Sequence, residues 1–256
     1  MQAFWGQLKK DFYLGRSMII ITIIGLIVLF MVGQFLELYF NIERLVTGLW
    51  AMIIAPHIFY LWAYMAVSLN VETNKFHLWL HTPLSGFQLL ISKFINGLVA
   101  MVISFAIACS VFLWMSFQEL NQAILLQYGF ILAVHLFLFA IYIAIWFIFY
   151  WTIFQYFKKK IGSFAWLIII GLFIAISWGM GKLRSSALYD TLTTWGSMTS
   201  QKAMENLVDS NIGALSFQVQ PNGELTVYAG FYIFYLILCV ILIWFSSWLL
   251  DKKIEV

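Results

Sequence analysis

The sequence predicts an all-α integral membrane protein that forms a single transmembrane domain, residues 1–256, with six transmembrane helices. Two observations carry this prediction. Hydrophobic residues make up 63% of the chain and charged residues only 10%, whereas a soluble domain typically carries about 25% charged residues. The 12 Trp, 12 Tyr and 25 Phe fit the same class, because amphipathic aromatic side chains collect at the depth of the lipid headgroups. A surface so poor in charge has to face lipid.

Six stretches of the chain are apolar enough to cross a bilayer, which takes about 20 residues per helix. The predicted spans are Ser17–Tyr39, Leu45–Leu69, Phe94–Phe117, Ile124–Phe154, Phe164–Met180 and Tyr228–Leu250. The fourth span is long for one crossing, and a long apolar helix accommodates by tilting or by continuing past the membrane surface. The fifth is the shortest and contains Gly171 and Gly179.

The distribution of Lys and Arg predicts the orientation of these spans. With both termini in the cytoplasm, ten of the 14 basic residues lie inside and only Arg44, Lys182, Arg184 and Lys202 lie outside. Short cytoplasmic loops are enriched in positive charge. The run Lys158–Lys160 between the fourth and fifth spans therefore strengthens the assignment.

The first segment outside the spans is Met1–Arg16. Apolar side chains such as Trp5 and Phe12 follow helical spacing, and the polar side chains Gln7 and Asp11 fall on the opposite face. This pattern is typical of an amphipathic helix lying on the membrane surface. We expect an interfacial helix on the inner leaflet.

A second segment, Lys182–Thr226, is too long for a passive connection and is predicted to form a small extracellular cap. Within it, Thr199–Val208 has the pattern of a short amphipathic helix. Apolar and polar residues alternate on both sides of Pro221-Asn222-Gly223. A turn signal flanked by alternating segments predicts a β-hairpin.

The third segment, the cytoplasmic loop Asn70–Lys93, is the most informative. Its apolar side chains need a surface to bury against, either the bilayer or a partner; they are Phe76, Leu78, Trp79 and Leu80. Pro83 ends any helix that precedes it, and Ser85 has the character of an N-cap for the helix entering the third span. The prediction is a short helix, a proline break and a second helix.

These residues resemble the corresponding loop of type-2 ABC transporter permeases. The matching order is Glu72, then Leu78 and Leu80, then Thr82-Pro83-Leu84-Ser85, then Lys93. The sequence departs from the family at the last step, where Ser92-Lys93 stands in place of Gly-Lys. The layout is also similar, with an N-terminal amphipathic helix, six spans and a large outer segment before the last span.

The resemblance implies that Asn70–Lys93 is a coupling element seated on an ATP-binding cassette subunit. Trp79, Leu80 and Pro83 would form the contact, and Glu72 would brace the loop. The full set of implied coupling residues is Glu72, Phe76, Leu78, Trp79, Leu80, Thr82, Pro83 and Ser85. It also implies a dimer with a second permease copy or a homologue. The alternative is an interfacial hairpin with no protein partner.

The chain contains no G-x-x-x-x-G-K-[ST] phosphate loop. ATP and Mg²⁺ would therefore bind to a separate ATPase chain, and no cofactor is expected on this one. A net charge of +3 is too small to suggest nucleic acid as a partner.

No enzymatic motif or metal site is evident. His77 and His81 are four residues apart, but no third ligand follows at a recognisable spacing, so solvated or interfacial histidines are favoured. His57 and His135 lie within predicted spans, where an ionisable residue is a functional hypothesis. The favoured alternative is a neutral imidazole bonded to a neighbouring helix.

The expected function is that of the permease subunit of an ATP-driven exporter in a bacterial plasma membrane, in contact with membrane lipids. Its spans are apolar and aromatic, and no Asp or Glu lies deep within them, whereas pathways for sugars or ions show convergent polar groups. The expected cargo is thus an amphipathic peptide, such as an antimicrobial peptide, or another hydrophobic molecule. The alternatives are a membrane scaffold without transport activity and a lipid-modifying membrane enzyme.

Overall fold

The computed structural model describes most of the chain. The described residues are 2–41, 45–73, 83–116, 122–200, 218–219 and 225–254. The chain divides into two compact units, one of Met1–Thr152 with Ile243–Val256 and the other of Ile153–Leu242.

The first unit is helical throughout its described part. Helix α1 spans Gln2–Phe40, α2 spans Leu45–Ile54, α3 spans Tyr60–Thr73 and α4 spans Gly86–Ser116. A 3₁₀ segment, Ala55–Phe59, joins α2 to α3 around Pro56, whose missing N–H removes one α-helical hydrogen bond. Helices α1, α2 and α3 all pack against α4.

Helices α5 and α8 run through both units, and the elements between them belong to the second. Helix α5 spans Gln122–Ile161, followed by a 3₁₀ turn at Gly162–Phe164, α6 at Ala165–Arg184 and α7 at Ala187–Thr193. Strands β1, β2 and β3 cover Ser197–Ser200, Gln218–Val219 and Leu225–Tyr228. Helix α8 spans Ala229–Leu249 and ends in a π-helical turn at Leu250–Ile254.

Five stretches of the described chain are long and apolar enough to cross a membrane. They are Gln2–Phe40, Leu45–Thr73, Gly86–Ser116, Gly129–Arg184 and Ala229–Lys252. At most 28% of the residues in the most apolar window of any of them are buried within the protein. Apolar surface exposed on this scale is incompatible with water. The chain is a multi-pass, all-helical membrane protein.

The stretch Gly129–Arg184 contains two helices rather than one. The Phe154 and Trp166 rings lie 4.7 Å apart between centroids, whereas twelve residues of straight helix would separate their backbones by about 18 Å. Gly162 makes the reversal possible, because its φ of +60° is a conformation that other residues rarely adopt. The chain therefore folds back between α5 and α6, where the sequence predicts a loop between the fourth and fifth spans.

The helix predicted at Met1–Arg16 is not separate from the first span, and its interfacial position stays a prediction. Residues Gln2–Phe40 form one continuous helix of 39 residues. Its polar face is buried, since Gln7 and Asp11 are 6% and 1% exposed, while Trp5 and Phe12 face outward. The apolar residues follow the predicted helical spacing. The polar face of the helix packs against the protein, and the apolar face is exposed.

In the predicted cap, the hairpin is confirmed and the helix is not. Strands β2 and β3 pair antiparallel, with Val219 opposite Leu225, on either side of the predicted turn. Thr199 and Ser200 belong to β1 rather than to a helix, and the rest of the predicted helix lies outside the described residues. Strand β3 is central, in the order β1-β3-β2.

The three helices α1, α3 and α4 meet around the buried side chain of Tyr64, which is 1% exposed. Two glycines make room for its ring. A Cβ atom on Gly15 of α1 would collide with the Tyr64 hydroxyl, and one on Gly97 of α4 would lie 2.7 Å from Tyr64 Cδ1. Small residues that let helices approach closely are the usual basis of packing in membranes.

Gly15→Ala should lower the melting temperature of the purified protein in detergent. Overpacking a filled site costs about 1–3 kcal/mol, and Tyr64 cannot move away because Gly97 holds its other side. The control is Gly25→Ala on the same helix, which has no atom within 4 Å of an added Cβ and should be neutral or slightly stabilising. Adding Tyr64→Phe to Gly15→Ala should restore part of the loss. Equal melting temperatures for the two alanine variants would contradict this packing.

Candidate functional site

The candidate site is a group of buried charges at one end of α1, α3 and α4. We call Lys10, Asp11, Glu72 and Lys93 the Lys93 cluster. The Lys93 side chain is fully buried, and its ammonium lies 2.8 Å from Asp11 Oδ1 and 3.2 Å from Glu72 Oε1. A buried ammonium is stable only when it is paired and hydrogen-bonded. Each of the two carboxylates comes from a different helix, so the pairing joins three helices.

The Asp11 carboxylate is held on both of its oxygens. While Oδ1 accepts from Lys93, Oδ2 accepts from the Ser92 hydroxyl at 2.6 Å and from Gln7 Nε2 at 3.1 Å. Gln7 and Asp11 are four residues apart and thus share a face of α1. Ser92 and Lys93 are neighbours on α4. The Ser92-Lys93 pair, at which the sequence departs from the Gly-Lys of the permease family, therefore binds one aspartate with two side chains.

Glu72 lies in the last turn of α3, immediately before residues 74–82. Its Oε1 accepts from Lys93 and also from Lys10, whose ammonium is 3.0 Å away. The Lys10 side chain is 48% exposed, so it forms the solvent-facing edge of the Lys93 cluster. Ser68 lies one turn earlier on α3, with its hydroxyl 3.3 Å from the Lys93 ammonium. The site thus balances two cations with two anions.

One turn further along α4, Asn96 makes a polar contact with the backbone of α1. Asn96 is 6% exposed, and its Nδ2 lies 3.1 Å from the carbonyl oxygen of Leu8 and 3.0 Å from that of Ser92. The Asn96 side chain therefore tethers the backbone of α1 at Leu8 to α4. This bond fixes the depth of α1 relative to α4.

A helix cap at the start of α4 holds the C-terminal end of the loop between α3 and α4. Ser85 Oγ accepts from the Gln88 backbone N–H, and Gln88 Oε1 accepts from the Ser85 N–H. This reciprocal pair is a capping box, and it confirms Ser85 as the N-cap of α4.

The C-terminal turn of the chain closes onto this cap. Asp251 Oδ1 accepts from the Gly86 N–H at 2.5 Å, and a carboxylate near a helix N-terminus is stabilised by the helix dipole. A Cβ on Gly86 would lie 2.9 Å from both Asp251 Oδ1 and Leu250 Cβ. Only glycine allows this close approach.

Of the eight coupling residues that the sequence predicts, three lie in the part of the chain that the structure describes. Glu72, Pro83 and Ser85 are described: Glu72 is buried in the Lys93 cluster, Pro83 is exposed, and Ser85 caps α4. The other five lie outside the described residues; they are Phe76, Leu78, Trp79, Leu80 and Thr82. Their contact with an ATPase stays a prediction.

Sequence reasoning missed most of the polar partners in the site. The loop motif contains Lys93 and Glu72. It does not predict that Asp11, Ser92 and Gln7 lie in the same site. The available signal was the i, i+4 spacing of Gln7 and Asp11 on a helix that leads into an apolar span. A polar stripe on a membrane helix usually faces the protein interior.

The two intramembrane histidines bond to their own helices. His57 Nδ1 lies 2.9 Å from the Ile53 carbonyl oxygen, and His135 Nδ1 lies 2.7 Å from that of Ile131. For His57 the expected bond to a neighbouring helix is wrong, since Nε2 is buried without a hydrogen-bond partner among the described residues. His77 and His81 lie outside the described residues.

The Lys93 cluster joins three helices through paired charges. Within the described residues, no group of three or more His, Cys, Asp or Glu side chains could hold a metal ion. Its carboxylates and ammoniums neutralise one another.

Comparisons with protein-family models, curated proteins and solved structures find no match for this chain. Function is therefore inferred from the arrangement of these residues and from the sequence of the loop between α3 and α4.

Replacing Lys93 by Met should destabilise the protein far more than replacing Lys10 by Met. Removing one partner of a buried pair leaves an uncompensated charge and costs about 3–5 kcal/mol, whereas an exposed pair is worth at most about 1 kcal/mol. Thermal unfolding in detergent measures both variants. Adding Asp11→Asn to Lys93→Met should recover part of the loss, because Glu72 keeps Lys10 as its partner. Equal stability of the two Met variants would contradict the assigned pairing.

Proposed function

We propose that this chain is the permease subunit of an ATP-driven exporter of the ABC type, energised by a separate ATP-binding subunit. The observation that carries the proposal is how the loop between α3 and α4 is held. Glu72 precedes it and is bound to Lys93, while Ser85 and Gly86 follow it and are fixed by the capping box and by Asp251. A loop anchored at both ends is suited to transmit force.

The anchors connect the loop to four helices. Through the Lys93 cluster, Glu72 of α3 is joined to α1 and α4, and through Asp251 the start of α4 is joined to the C-terminal turn after α8. A satisfied buried network is rigid, so a displacement of the loop would move these helix ends together. A coupling loop needs this property, whereas a passive connection does not.

The energy source would be a partner protein. The loop contains Phe76, Leu78, Trp79 and Leu80 next to Thr82-Pro83-Leu84-Ser85, the segment that resembles the coupling loop of type-2 ABC permeases. Since the sequence has no phosphate loop, ATP and Mg²⁺ would be bound by the ATPase. A second permease copy or a homologue would complete the transport pathway.

The proposed topology has six crossings with both termini in the cytoplasm of a bacterial cell. Helices α5 and α6 count as separate crossings because the chain reverses between them, and α6 with 20 residues has the minimum length for a span. The positive-inside rule then places the Lys93 cluster and the loop on the cytoplasmic side, where an ATPase is located.

The proposed cargo is an amphipathic peptide or another hydrophobic molecule. Large apolar side chains are exposed along the candidate spans, among them Phe35, Phe130 and Phe173. The charged groups of the Lys93 cluster form ion pairs with one another. A pathway lined in this way suits a cargo that partitions into lipid better than it suits an ion or a sugar.

Reporter tags at the two ends of the chain should be accessible from the same side of the membrane. Six crossings return the C-terminus to the side of the N-terminus, whereas five would place it opposite. Protease protection of the tags in intact cells and in inverted vesicles measures this. Tags on opposite sides would show that α5 and α6 share one crossing, and would also remove the C-terminal turn from the ATPase side.

Co-expression with candidate ATP-binding cassette subunits, followed by affinity purification of this chain, should yield a complex with ATPase activity. The double variant Trp79→Ala, Pro83→Ala should lose the subunit, since truncating a central interface Trp costs about 2 kcal/mol, or about a 30-fold loss of affinity. The control is Trp178→Ala, on the exposed face of α6, which should keep the complex.

Recovery of the wild-type chain without an ATPase would overturn the transporter proposal and favour a scaffold. The double variant has to remain monodisperse in detergent for its loss of the subunit to count. Loss of binding with retained monodispersity locates the contact in the loop, and retained binding moves it elsewhere.

A further inference from the structure

Helix α7 presents three distinct faces. Leu188 and Leu192 follow the spacing i and i+4, which places them on one side of the helix, and they are 62% and 46% exposed. Trp195 follows two residues after the end of the helix and is 49% exposed. Asp190 and Thr194 are exposed on the opposite side. We call the three exposed side chains of Leu188, Leu192 and Trp195 the apolar stripe; within it, one edge of the Trp195 indole packs on Gly230.

The third face of α7 packs on the start of α8. The Tyr189 hydroxyl lies 3.2 Å from that of Tyr235, and the Tyr189 ring meets Phe234 edge-on with centroids 5.4 Å apart. Thr193 is 4% exposed and donates to the Tyr189 carbonyl oxygen. This face fixes the rotation of α7, so the apolar stripe cannot turn inward.

Both ends of α7 are attached to the ends of membrane-spanning helices. Its N-cap, Ser186, follows the last residue of α6 by two positions. At the other end, the N–H groups of Ala229 and Gly230, the first residues of α8, donate to the carbonyl oxygens of Gly196 and Trp195, both at 3.1 Å. Since one candidate span ends at Arg184 and the next begins at Ala229, α7 lies beside the ends of two candidate spans.

The chemistry of the surrounding side chains fits the same depth. Lys182 and Arg184 are exposed in the last turn of α6, where basic side chains can reach lipid phosphates. Trp195 Nε1 donates to the Leu192 carbonyl oxygen at 2.8 Å. The indole has therefore satisfied its one donor and can enter an apolar environment without a further partner.

We infer that α7 with Trp195 is an interfacial membrane anchor, whose apolar stripe enters the boundary between lipid headgroups and acyl chains and whose Asp190 face points to water. The occupant we assign to the stripe is lipid, because the stripe lies beside the ends of two apolar candidate spans. The anchor would hold the adjoining ends of α6 and α8 at a fixed depth. This inference goes beyond the proposed transport function and does not depend on it.

The test is site-specific labelling in vesicles. Cys109 and Cys239 are replaced by Ala, single cysteines are introduced as Leu188→Cys and Asp190→Cys, and each is labelled with an environment-sensitive NBD fluorophore. The labelled proteins are reconstituted into phosphatidylethanolamine–phosphatidylglycerol vesicles. Quenching is measured with lipids that carry a nitroxide near the headgroup and, separately, with aqueous iodide.

The label introduced by Leu188→Cys should be quenched several-fold more by the lipid nitroxide than the label introduced by Asp190→Cys, and several-fold less by iodide. Equal quenching of the two labels by iodide would overturn the inference, since both faces would then meet water. Protection of the first label from both quenchers would also overturn it, because protein would cover the stripe. Leu192→Cys provides a second position on the same stripe if the first variant is not monodisperse.

Discussion

The buried ammonium of Lys93 is the constraint on which the rest of the first unit depends. A fully buried cation without a counter-charge would cost several kcal/mol, so α4 can occupy its position only when Asp11 and Glu72 are brought to it. These two residues come from α1 and α3. One side chain thus sets the relative position of three helices, which nonspecific apolar contact in lipid could not do.

A second layer lies one helical turn from the first. Gly15, Tyr64 and Gly97 are each four residues from a member of the polar layer, namely Asp11, Ser68 and Lys93. The polar layer fixes the depth of the helices by paired charges, and the layer around Tyr64 fixes their separation by close approach. Together the two layers make a rigid end of the bundle, next to the loop that would receive force from an ATPase.

Local signals predicted the features that depend on local physics. The long apolar helices, the Ser85 cap and the pairing of the hairpin strands follow from composition, capping preference and turn chemistry, and the described residues bear them out. The described residues contain five candidate spans, whereas the sequence predicts six. The Lys93 cluster depends on helices distant in sequence, so its members could not be assembled from spacing alone. The same limit applies at Met1–Arg16. Periodicity divides a helix into two faces, but only tertiary partners such as Ser92 decide that the polar face is the buried one.

The orientation of α1 also bears on how such a chain can work. A surface helix held by lipid would be free to slide, whereas α1 is held at Asp11 by an ion pair and at Leu8 by Asn96. Helix α1 is continuous from Gln2 to Phe40, so any displacement at its polar end is carried along the whole first span. If the loop drives the bundle, α1 is part of the moving body rather than a fixed frame at the membrane surface. The lever for transport would then be the buried charge pair itself.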